Sequence, residues 1–201
     1  MTTVALRSKV PGAASAEVGE VDGRPVVSVR VAGGDRRGAL AEVDGETIAA
    51  AARLAWQQRL PIVATIESSG ADVTEGLSAL VGWGRAAREL VRCSGVVPVV
   101  VVVSGPAVSG PALLLGLADV VIMTPDAYAF VSGPRMVTEF TGVPITPREL
   151  GGAGPHSRSS GVVSLVAASA DEADGLGGTT PTGDGCRPPS PARASSSRTR
   201  R

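Results

Sequence analysis

Residues 93–118, between Arg92 and Asp119, contain no charged side chain, and valine fills seven of the eight positions from Val96 to Val103. A stretch this apolar must be buried, either in lipid or in a protein core. Pro98, the Gly105-Pro106 pair and Ser109-Gly110-Pro111 interrupt it too often for one helix of about 20 residues to cross a bilayer. The remaining solution is a buried strand, a turn, a short helix and a further strand. β-branched density without polar alternation predicts that Val96–Val103 is covered on both faces, as in the central strand of a sheet flanked by other layers.

The rest of the chain alternates between strand and helix signals. Pro25–Val31 follows the Asp22-Gly23 turn pair and reads as a strand. From Asp44, taken as N-cap, to Arg59, the apolar positions Ile48, Ala51, Ala52 and Ala55 define one helical face. Pro61 ends that helix and opens the strand Ile62–Ile66. A polar turn from Glu67 to Asp72 leads to a second helix, in which Leu77, Leu80, Val81, Gly84, Ala87 and Val91 are expected to face inward before Ser94-Gly95 closes it. Ala112–Leu117 reads as a short helix with Pro111 in its first turn. Asp119–Met123 and Ala127–Val131 read as strands, and Pro134 to Gly142 as a helix. Thr146-Pro147-Arg148-Glu149 is a capping box that starts a short helix ended by Gly151-Gly152. This order predicts an α/β domain over residues 21–174. Residues 1–20 read as a loose lead-in. Residues 175–201 have Gly, Pro, Ser or Thr at 17 of 27 positions and five arginines against the single acid Asp184, the composition of a disordered tail.

Composition narrows the chemistry. Lys plus Arg and Asp plus Glu both number 19, and aromatics make up 2%, so neither a basic field nor base stacking points to nucleic acid or to an acidic membrane surface. One histidine, His156, and two cysteines, Cys93 and Cys186, give no metal quartet and no disulfide framework. With no secretory leader at the start, a cytoplasmic protein is expected. No serine-nucleophile elbow and no phosphate-binding Gly-Lys-Ser/Thr loop is present. Glu67, Asp72 and Glu75 read as a polar cap around a helix start rather than as paired catalytic carboxylates.

What the chain offers instead is backbone donors. In Gly105-Pro106-Ala107-Val108-Ser109-Gly110-Pro111, between a buried strand and an apolar helix, Pro111 has no N–H, so free donors must come from Ser109, Gly110 and the first turn. Such donors suit a thioester oxygen that gains charge as an enolate. The same spacing also suits a tight turn that holds no ligand.

The run Val99–Gly110, continuing through Ala118-Asp119-Val120-Val121-Ile122-Met123, resembles the N-terminal half of biotin-dependent acyl-CoA carboxyltransferase subunits, the β-subunits of acetyl-CoA and propionyl-CoA carboxylases. Further matches in the same order are Asp22–Val27, Gly38–Glu42, Ser68–Ala71, Glu75-Gly76, Tyr128–Pro134, Thr141-Gly142, Glu149–Ala153, His156 and Ser160-Gly161-Val162. The resemblance implies a crotonase-like fold of stacked β-β-α units. It implies that the amides of Ser109 and Gly110 form an oxyanion hole for a short acyl-CoA. Ser69, Gly70, Ala71, Gly105, Pro106, Ser132, Gly133 and Pro134 would line the substrate site, and His156 is a further pocket candidate, with a structural hydrogen-bonding role as its alternative. Biotin, carboxylated on a separate carrier domain, would deliver the carboxyl group, so no side-chain base is required.

Departures from the family pattern bear on the reading. Asp72 stands where the family usually has arginine, Ser164 stands where it has a second histidine, and the second crotonase-like domain is missing. The partners implied are therefore a chain of the C-terminal carboxyltransferase type and a biotin carboxylase with its carrier, in an oligomer. The alternatives are a malonyl-thioester decarboxylase subunit and a non-catalytic remnant or assembly subunit.

Overall fold

The computed structural model describes residues 4–6, 12–34, 36–169, 172, 173 and 175. The valine run forms the middle of the structure. Strands β1 (Val4–Leu6), β2 (Ala14–Val21), β3 (Arg24–Val31), β4 (Ile62–Ser68) and β5 (Val99–Val108) lie side by side in chain order, followed by β6 (Val120–Met123). β7 (Tyr128–Phe130) pairs with the far end of β5, and β8 (Leu165–Val166) with β6. β1, β2 and β3 are antiparallel, and every pairing from β3 onward is parallel. The described strands thus form one mixed sheet with helical connections, the α/β crotonase-type arrangement expected.

Both faces of β5 are covered, which explains the missing alternation. Val99, Val101 and Val103 belong to the main core beneath the helices. Val100 and Val102 join Ile122, Ala167 and Ala173 in a second cluster on the opposite face. Asp119 completes the strand end, accepting from the Val99 N–H at 2.8 Å while its own N–H donates to Val99 O.

Three local expectations are corrected. Residues 14–20, read as part of a loose lead-in, belong to β2, paired with β3 along its whole length. Asp22 and Gly23 both have positive φ, the type I′ hairpin turn that joins two twisted strands, so the turn signal marked a hairpin whose first strand was too polar to stand out. Helix α1 (Glu42–Gln58) starts before Asp44: Ala41 is the N-cap, and the buried Asp44 carboxylate accepts from Ala41 N–H and Ala14 N–H, both at 2.8 Å. The third correction concerns helix α2 (Leu77–Cys93), which turns its small residues inward. Ala79, Gly82, Ala86, Leu90 and Cys93 are buried, whereas Leu77, Leu80, Val81 and Val91 are exposed. The reason is the seam with α1. A methyl group on Gly45 would lie 2.1 Å from the Gly82 carbonyl carbon, and one on Gly82 would lie 2.7 Å from Glu42 Cα. The two helices touch backbone to backbone, so the larger side chains are displaced to the outside.

Glu89, on the buried flank of α2, is surrounded by Arg88, Arg92 and Arg53 at 3.0, 3.0 and 3.8 Å. Burial alone would raise its pKa, but the hydrogen bond from Arg88 and the charges of Arg92, Arg53 and Arg88 outweigh that and hold it below the usual value. The short helices follow their sequence signals. α3 (Gly110–Leu114) has proline in its first turn, α4 (Pro134–Thr141) ends on left-handed Gly142, and α5 (Pro147–Gly151) carries the Thr146–Glu149 capping box. No helix among the described residues is long and apolar enough to cross a membrane. The predicted tail lies outside the described residues from 176 onward.

Candidate functional site

Two loops meet at the carboxyl ends of β4 and β5. The first begins at a register shift in β4 and is pinned from several sides. The fully buried Ser68 hydroxyl donates to Gly38 O at 2.6 Å and accepts from Gly70 N–H at 3.2 Å. Ser69 N–H donates to Arg37 O, Leu40 N–H to Gly70 O, and Asp72 N–H to Leu40 O, at 2.8–2.9 Å. This network leaves the Ala71 N–H without an acceptor among the described residues.

The Asp72 side chain, only 6% exposed, turns into the loop. The hydroxyl and N–H of Thr74 both donate to it and lower its pKa, burial opposes them, and Arg36 at 2.9 Å adds to the lowering. The anion that replaces the family arginine is therefore consumed locally, as the cap of a short 3-10 turn over Val73–Glu75. Glu75 accepts from the Glu42 N–H at 2.7 Å, so two of the three carboxylates in this region are capping groups, as read from the sequence.

The second loop is shorter than expected. β5 continues through Gly105 and Pro106 to Val108, with Pro106 opposite Tyr128 and Val108 opposite Phe130. Only Ser109 makes the turn, with φ 63° and ψ −121°, a region that favours glycine. Of the two predicted donors, Ser109 is already committed: its N–H donates to Phe130 O at 2.9 Å. Gly110 N–H has no acceptor among the described residues, and Pro111 has none to give. The loops abut, since a side chain on Gly70, which has φ of +112°, would lie 3.2 Å from Val108 O and 3.5 Å from Ser109 Cβ.

Between the loops and α2 lies a cavity of about 120 Å3. Ala71 and Leu40 contribute from one side and Ser109, Gly110, Pro111 and Leu113 from another, while Ala79, Leu80 and Trp83 of α2 close it. Its walls are mainly carbon, and the two residues with open N–H groups, Ala71 and Gly110, both belong to them. The structure thus brings together Ala71, Ser109 and Gly110 from the predicted set, with Gly70 behind them. Gly105 and Pro106 lie in β5, Ser69 on the exposed side of its loop, and Ser132, Gly133 and Pro134 at the start of α4, none of them lining this cavity. His156 is outside it too: Nε2 donates to Ala129 O and Nδ1 is hydrogen-bonded with Ser160 Oγ, both at 2.8 Å, which ties the segment after α5 to β7. Sequence reasoning missed Trp83, Leu40 and Ala79. The first two stand far from Gly110 in the chain, and on α2 attention fell on the larger apolar residues.

The mixed sheet, parallel from β3 onward with helical crossovers, is the fold of the crotonase-type carboxyltransferases. The comparisons agree. The chain belongs to the carboxyl transferase domain family, which matches residues 1–179. It is 36% identical over 176 residues to the propionyl-CoA carboxylase beta chain of Rhodococcus erythropolis, covering 87% of this chain and 36% of that one. With the methylmalonyl-CoA carboxyltransferase 12S subunit of Propionibacterium freudenreichii subsp. shermanii it shares 37% identity over 114 residues, which is 57% of this chain and 22% of the relative. Among solved structures, the transcarboxylase 12S structure with methylmalonyl-coenzyme A and methylmalonic acid bound aligns with a TM-score of 0.80 at 30% identity, covering 83% of this chain and 32% of that one. A chain of the Pseudomonas malonate decarboxylase hetero-dimer aligns with a TM-score of 0.73 at 25% identity, covering 85% of this chain and 75% of that one. The chain thus spans between 22% and 36% of the length of the carboxylase and carboxyltransferase relatives it matches.

Proposed function

We propose that this chain is the acyl-CoA side of a biotin-dependent carboxyltransferase. The observation that carries the reading is the pair of uncommitted backbone N–H groups, Ala71 and Gly110, on two abutting loops at a carbon-lined cavity. A thioester oxygen accepting from both would have its charge stabilised as the α-proton leaves. Donors fixed in advance by the Ser68–Asp72 network and by the Ser109–Phe130 bond need no reorganisation, and each is worth roughly 3 kcal/mol to the rate. Because the Ser109 N–H is bonded to Phe130 O, this reading takes Ala71 with Gly110 as the donor pair in place of the Ser109 and Gly110 that the resemblance implies. In this reading Ser109 positions its neighbour. The cavity takes a short acyl group, and Leu80 and Leu113 border it from positions open to solvent.

The donor set and the carbon walls fit a thioester. Biotin on a separate carrier domain supplies the carboxyl group and takes up the α-proton, and a partner chain of the C-terminal carboxyltransferase type provides its binding side. Support for the assembly comes from the relatives, one a carboxylase beta chain and the other a carboxyltransferase subunit. The structural likeness to a malonate decarboxylase chain supports a second reading, in which the same site holds a malonyl thioester for decarboxylation.

Calorimetric titration with acetyl-CoA and propionyl-CoA tests the shared premise. Micromolar binding that a Gly110→Pro variant loses supports it, and absence of binding by folded protein refutes it. With the partner chain added, carboxyl transfer that avidin stops marks the first reading. Carbon dioxide release from a malonyl thioester that avidin leaves untouched marks the second.

A further inference from the structure

We infer that Trp83 determines the acyl-chain length this site accepts, an inference that rests on the acyl-CoA reading above. Trp83 lies on the inner turns of α2 with the edge of its five-membered ring against Gly110. A methyl group on Gly110 would lie 2.5 Å from Trp83 Cδ1 and 2.6 Å from Nε1. Among the described residues the indole Nε1 is the one buried side-chain nitrogen or oxygen without a hydrogen-bond partner. Burying that N–H unpaired costs stability, so hydrogen bonding does not explain the ring at this position. Its bulk does: it closes the cavity directly beside the amide that anchors the thioester.

Geometry sets the consequence. With the thioester oxygen at the Ala71 and Gly110 amides, the acyl carbons are within a bond or two of the cavity wall. The indole and the buried Ala79 form the inner part of that wall, whereas Leu80 and Leu113 border it from exposed positions. The cavity volume of about 120 Å3 falls below the ~150 Å3 at which an apolar cavity takes up benzene. Acyl chains that lengthen toward α2 meet the indole, which stands in contact distance of Gly110.

The test is calorimetric titration of the full chain with acetyl-, propionyl-, butyryl-, hexanoyl- and octanoyl-CoA. The wild-type chain loses affinity by about tenfold or more between butyryl and hexanoyl, the penalty expected when a methylene finds no room. In Trp83→Ala the hexanoyl-to-propionyl affinity ratio rises by about tenfold, and Trp83→Phe, which keeps most of the bulk without the N–H, restores the wild-type profile. Leu80→Trp, at a position 56% exposed where folding is not at stake, narrows the cavity and shifts preference towards acetyl-CoA. This variant decides the matter if Trp83→Ala does not melt cooperatively. An unchanged chain-length profile in Trp83→Ala, or in Leu80→Trp, overturns the assignment of Trp83 and leaves the acyl-CoA reading intact. Failure of the folded wild-type chain to bind any of the five overturns both.

Discussion

β5 is one strand with two characters. Its first half, Val99–Val103, is held by side chains: five buried valines fill cores on both faces of the sheet. Its second half, Ser104–Val108 and the Ser109 turn, serves to place backbone. There the strand pairs with β7 instead of β6, Ser109 takes a glycine-like conformation, and Gly110 leaves an amide open beside an indole. The first half stabilises the domain, and the second sets the position of one N–H. Mutations in the two halves should therefore fail differently.

The largest effect is expected in the first half. Val102→Asp buries an unpaired carboxylate at a position with no exposure, and the cooperative melt should disappear from circular dichroism. Gly110→Ala comes next and inverts the pattern. Its methyl group collides with Trp83, costing about 1–3 kcal/mol of stability, while acyl-CoA affinity falls by about tenfold or more as the amide is displaced. An equal loss of binding in a merely destabilised valine variant such as Val102→Ala would erase the distinction between the halves.

Ser109→Gly sharpens the comparison in the other direction. Relief of the strained backbone is worth about 1–3 kcal/mol, offset in part by the greater freedom of glycine in the unfolded chain. A net gain of about 1 kcal/mol should raise Tm by roughly 2–4 °C with binding retained. The smallest effect lies away from β5. The Glu89 pKa is held below its usual 4.5 by the surrounding arginines, so its contribution is fully present above that value and is lost as the pH falls through the lowered folded value. Between pH 7 and pH 3 the Tm of Glu89→Gln should fall less steeply than that of the wild-type chain, because one of the carboxylates lost on acidification is already gone.

The same contrast explains what could be read from the sequence. The Gly142 stop and the Thr146 capping box are local signals whose physics is complete within a few residues, and each appears where expected; of the valine run, Val99–Val103 lie buried in β5, while Val96 stands exposed in the turn before it. α2 was inverted because hydrophobicity ranks leucine above glycine, while the seam with α1 requires the closest backbone approach, which only Gly45, Gly82 and the alanines permit. β2, which lies between β1 and β3, was missed because a strand with only one of its residues fully buried has too little apolar content to announce itself. At the site, Ser-Gly-Pro punctuation located the turn correctly. Which amide stays open depends on the distant Phe130 carbonyl, and the wall of the cavity depends on Trp83, 27 positions upstream of Gly110. Pairings of that kind leave no periodic trace.

The central claim is that the Ala71 and Gly110 amides polarise a thioester oxygen. The measurement that tests it most directly is the 13C NMR shift of propionyl-CoA labelled at the thioester carbonyl, free and bound to the full chain, beside Gly110→Ala. The account predicts a downfield shift of the carbonyl resonance on binding that is diminished in the variant. A bound ligand whose carbonyl resonance stays at its free position, or shifts equally in both proteins, would contradict it.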